Sequence, residues 1–260
     1  MLWLYDMPTW LLFLVVVGAF VLFGIGGLFA TRGLVRALVG GRVTKAEGVD
    51  VFVGAVAVFY GLIVGLIAVA VWEQYATIDD RVAEEASSIG ALYRQAEEFP
   101  PPARGELMTS IKALTYDTMT SGWERQRRGE IAIKVNPYLD RITSVLYRFQ
   151  PANSDQAAIQ QATMSEFEKV YELRRRRLHD AVAGLPASLY AVVLIGGVLT
   201  IGLTYLLALE RMRLHVVMTG IASAMIGLVV FMIVVMDHPF RGEVSIGPED
   251  FEQAYSVLMR

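Results

Sequence analysis

The chain has 260 residues, of which 55% are hydrophobic and only 19% charged, with a formal net charge of −3. That balance is too apolar for an ordinary soluble domain of this length, and it offers no basic stripe interleaved with aromatics, which excludes a nucleic-acid partner. Cysteine is absent, which removes disulfides, thiol catalysis and thiolate metal ligands together.

Residues 8–30 form the first long apolar run without Lys, Arg, Asp, Glu or His. Three more follow, over 51–72, 186–209 and 216–236. At a rise of about 1.5 Å per residue each reaches ~30 Å, the thickness of a bilayer's hydrocarbon core. The first run has no basic flank before it and exceeds a secretory apolar region in length, so it is expected to be an uncleaved membrane span.

Between the first two spans lies a short polar loop with Arg32, Arg36, Arg42 and Lys45, where Gly40 and Gly41 break any helix. The second span runs on into a charged helix. Its apolar residues Val82, Ala86, Ile89, Leu92, Ala96 and Phe99 recur at three-and-four spacing. Pro100, Pro101 and Pro102 end it. A helix over about 103–120 is expected next, with Leu107, Ile111, Leu114 and Thr118 on one face. Gly122 and Gly129 are read as breakers after it, and Pro137 as the first residue of a further helix striped by Tyr138, Ile142, Val145 and Phe149. Ser154 and Asp155 open a long helix reaching about 183. The third and fourth spans are joined by a loop over about 210–215, short enough to force an antiparallel hairpin. In the tail, Pro248 followed by Glu249 and Asp250 marks a helix start, and these acids are read as stabilising its first turn rather than as a cation site.

The expected fold class is therefore an all-α membrane protein. It has four transmembrane helices, with a helical extramembrane domain over 73–185 inserted between the second and third and a tail over 237–260. Gly61 and Gly65, extended by Gly54, Ala57 and Ala68, make a small-residue stripe on the second span suited to close helix packing. Arg174, Arg175, Arg176 and Arg177 sweep around a helix and are read as a solvated or lipid-facing anchor, with Arg176 in reach of both Glu172 and Asp180. His179, His215 and His238 lack ligand spacing, so no metal or cofactor is expected, and no catalytic constellation argues for an enzyme.

Two stretches carry a resemblance. The end of the second span, with Trp72, Gln74 and Tyr75 after a Gly- and Phe-rich run, resembles the second membrane helix of bestrophins. The tail residues Asp237, Pro239, Phe240 and Gly242, followed by Glu249, Asp250, Phe251 and Glu252, are similar to the bestrophin Asn-Pro-Phe-Gly-Glu stretch and its acidic continuation. With the order of spans, the chain looks most like the bacterial bestrophin-like domain family. The resemblance implies a homopentameric, passive channel for inorganic ions in a lipid bilayer, a bacterial inner-membrane location, and a helical domain and both termini in the cytoplasm. Basic residues near the span ends are nearly balanced between the two sides and do not choose an orientation. The Trp72 register places Gly54, Val58 and Leu62 along the pore, with Val58 and Leu62 where bestrophin necks carry Phe. The acidic run is interrupted over 244–248. The other class open at this point is a non-conducting scaffold or sensor that binds a partner through its helical domain.

Overall fold

A computed structural model describes residues 5, 7–38, 48–130, 136–182, 184–207 and 211–259. Gly40, Gly41, Arg42, Lys45 and Glu210 lie outside the described residues.

Among the described residues the regular structure is helical throughout: α1 (Thr9–Leu38), α2 (Val49–Glu97), α3 (Ala103–Asp117), α4 (Trp123–Arg127), α5 (Pro137–Arg148), α6 (Ser154–Asp180), α7 (Ala187–Thr204), α8 (Met212–Asp237) and α9 (Glu249–Leu258). Four of these, α1, α2, α7 and α8, are long and apolar enough to cross a membrane. At 49 residues α2 would extend roughly 70 Å, far beyond a bilayer, and its uncharged part ends at Trp72.

The helix expected over 103–120 does not stop there. After Asp117 it widens into one π-helical turn, Thr118–Gly122, and continues as α4. Gly122 is therefore no breaker. Gly129 is, with φ of +73°, a left-handed backbone that glycine adopts without a Cβ clash. The N-cap of α5 is Asn136, whose side chain accepts from the Tyr138 N–H, and Asn153 caps α6 from Gln156 N–H.

The chain divides into two compact units. The first comprises residues 1–75, 184–237 and 242–244. Within it α1 and α8 run antiparallel: Phe13 meets Phe231 edge-on at 5.4 Å, and Gly227 sits against the Val17 backbone. The first half of α2 joins α7 through Tyr60, whose hydroxyl donates to the Val193 carbonyl at 2.7 Å, and through Gly196 and Gly197, which make room for that ring. Close approach at glycine is how membrane helices gain dispersion contact, since burial from water no longer drives them together.

The second unit comprises residues 76–183, 238–241 and 245–260. Its buried apolar residues come from the amphipathic part of α2 (Ile78, Val82, Ile89, Leu92), from α3 (Leu107, Ile111, Leu114) and from α5 (Ile142, Leu146), and α3 packs on α5. Phe240, Phe251 and Met259 from the tail are buried in the same unit. On α2 and α3 the three-and-four spacing of the sequence translates directly into burial, whereas on α5 Leu139 and Leu146 are buried with Ile142 and Val145, and Tyr138 and Phe149, expected on the stripe, are half-buried.

Candidate functional site

One face of α2 in the first unit is built into the bundle and another is uncovered. Tyr60, Val64, Ala68 and Val71, at steps of three and four, are buried against α7 and α8. Val58 and Leu62 project from the opposite side at 74% and 61% exposure, with Leu66 and Val69 beside them. Side chains built at Gly54, Gly61 and Gly65 would meet nothing within 4 Å. The glycines of the small-residue stripe therefore border open space, whereas Ala68 at its end is buried in the bundle. From Val51 to Trp72 no ionisable group interrupts this face. An uncovered, uncharged helix face with a glycine groove can pack a second helix closely, or border an apolar constriction that gates by dewetting.

The expected motif residues hold the chain in specific ways. Trp72 and Gln74 are exposed, and Tyr75 is half-buried. Asp237 ends α8 nearly buried, where its carboxylate accepts from the Leu185 backbone N–H and from the Tyr190 hydroxyl. Leu185 stands just before Pro186, the N-cap of α7, so Asp237 pairs a backbone donor beside that helix start. Pro239 offers its carbonyl to the Ile246 N–H at 2.8 Å, and Phe240 packs edge-on to Trp123 at 5.7 Å. Gly242 has φ of +85°, which makes the residue type obligatory at that turn. Each contact stays within one unit.

Half of the arginine run departs from the solvated anchor expected of it: Arg175 and Arg176 are exposed, but Arg174 is half-buried and Arg177 is buried. Arg177 is 2% exposed and clamps the fully buried Glu85 with two bonds, at 2.7 and 3.1 Å. It also donates to Gln126 and stacks over Trp123 at 5.1 Å and Phe251 at 5.6 Å. Arg174 is half-buried and donates to the Thr118 hydroxyl at 2.8 Å. Arg176 pairs with Glu172 as its spacing predicts, whereas Asp180 takes Arg81 at 2.9 Å instead. The signal for the buried pair was present: Glu85 stands on the apolar stripe between Val82 and Ile89. Its partner lies 92 positions away and has no local signature.

Around the start of α9, burial and the neighbouring Asp250, Asp80 and Glu249 push the Asp79 carboxyl above its ordinary value. No group of three metal-ligating side chains converges among the described residues.

No curated protein and no solved structure matches this chain. A family model, the bestrophin-like domain, matches residues 18–251, from within the first apolar helix through the other three, and takes in Trp72, Gln74 and Tyr75 and the tail from Asp237 to Phe251. A match over nine-tenths of the sequence, on a helical chain with four potential spans, makes this protein a member of the bestrophin-like domain family.

Proposed function

We propose that the protein is a subunit of an oligomeric, passive ion channel whose neck is lined by α2. The observation that carries this reading is the uncovered α2 face, with Gly54, Val58 and Leu62 in a row and no charge along it. In the reading favoured by family membership, five copies surround the pore. Val58 and Leu62 form its apolar constriction, and Gly61 and Gly65 let neighbouring helices approach. The helical stretch 73–185 is the extramembrane domain, inserted between the second and third spans, a reading supported by the compact unit that contains residues 76–183. It faces the cytoplasm of a bacterial cell, as do both termini, and the four apolar helices cross the inner membrane.

The deciding experiment is the native mass of the protein in mild detergent and in lipid nanodiscs, followed by ion flux in liposomes. Pentamers of the 28.7 kDa chain that pass ions are the expected result. Monomers or dimers in every medium would remove the five-helix neck. Pentamers that pass no ions, and that retain a stoichiometric protein partner, would turn the reading toward a membrane scaffold.

A further inference from the structure

The charges that bound the open face of α2 are of one sign. Val51 to Trp72 is uncharged, and the charged residues at its two ends are Asp50 and Glu73, both exposed. Farther along the helix come Asp79 and Asp80. The first base, Arg81, is already paired with Asp180 at 2.9 Å.

The helical period turns these carboxylates away from the bundle. Glu73 stands eleven residues after Leu62, three turns plus about 20°, and so shares its side of α2. Asp50 stands four residues before Gly54, one turn plus about 40°, at the edge of that side. Arg211 and Arg213 lie at the start of α8, which packs on the covered side. Along the axis Asp50 and Glu73 are ~35 Å apart, slightly more than the hydrocarbon core is thick. They therefore bracket the uncharged stretch at its two water-facing ends. Trp72, 51% exposed, marks the boundary beside Glu73, as interfacial aromatics do. Asp50 also lies in the first turn of α2, where a carboxylate suits the helix dipole. Glu73, in mid-helix, has no terminus to stabilise, and it carries the argument.

We infer that Glu73 and Asp50 make the pore selective for small inorganic cations, each supplying a ring of carboxylates at one mouth. The inference rests on the channel reading above. An apolar neck holds back water and ions of either sign but does not choose between them. That choice falls to the fixed charges at the mouths, which concentrate counter-ions and repel co-ions. Rings of Asp or Glu draw cations.

The test is the reversal potential of the full chain in planar bilayers under a potassium chloride gradient. At about 0.1 M salt, potassium is expected to permeate at least about tenfold more readily than chloride, the low end of counter-ion enrichment in a cleft of one charge sign. The preference should shrink at about 1 M, where the screening length falls from about 10 Å to about 3 Å. Glu73→Gln should lose most of it, the double variant with Asp50→Asn all of it, and Glu73→Asp little. Each single variant reports on its own mouth should the double one fail to fold. A wild-type current that favours chloride or neither ion overturns the inference and leaves the channel standing. So does a preference unaltered in both neutral variants. A wild type that passes no current overturns the channel reading, and this inference with it.

Discussion

Glu85 and Arg177 illustrate how much a single buried pair can demand of its surroundings. Both ions have left water, and the geometry compensates with two direct bonds, a third to Gln126 and two ring faces. Glu85→Gln is expected to destabilise the second unit by about 3–5 kcal/mol, since Arg177 stays buried without its counter-charge. The double replacement of Glu85 and Arg177 by Met should lose far less, and thermal melts of the three proteins in one detergent compare them directly. Asp79 carries the opposite sign. Its carboxyl binds a proton more readily in the folded chain, so its contribution to stability is present at low pH and lost as pH rises through the raised folded-state value. Asp79→Asn should therefore raise the melting temperature at neutral pH, and the advantage should vanish as the medium is acidified into the carboxylate range. At this scale the sequence was half legible. Periodicity exposes Glu85 as a charge on an apolar stripe, but pairing across 92 residues is set by how helices pack.

Among the elements, the glycines separate into two kinds that composition cannot tell apart. Gly227 lies on the Val17 backbone, which cannot step aside as a side chain can. Gly61 and Gly65 border open space. Gly227→Leu is expected to prevent the α1–α8 packing and yield little folded protein. Gly65→Leu should leave the subunit folded and instead break its assembly, shifting the native mass to a smaller species. A Gly65→Leu protein that keeps the wild-type mass would show that this face touches no other copy. The π turn is a second lesson at this scale. Gly122 reads as a helix breaker, yet in the structure the preceding helix absorbs it by widening and continues to Arg127. The competing term is packing of Trp123 against Phe240 and Phe251, which rewards continuation more than glycine's backbone entropy opposes it.

For the whole molecule, function in the proposed channel would rest on an assembly in which one α2 face per subunit meets the pore. Leu62→Ala removes bulk from that face at a position that is 61% exposed within the subunit, so the fold is expected to be unaffected. Single-channel conductance in bilayers should rise, and unchanged current from a conducting variant would take Leu62 out of the neck. The sequence by itself determined the four helices long and apolar enough to span a membrane and most of the amphipathic burial of the second unit. Uncharged runs of this length are stable in lipid only with every backbone group bonded internally, and charged helices must show their buried stripe in their spacing. Which side of α2 is built in and which is left open was decided by tertiary structure alone. Between Val51 and Trp72 every side of that helix is apolar, so its pattern points in no direction until α7 and α8 cover one face through Tyr60, Val64 and Ala68.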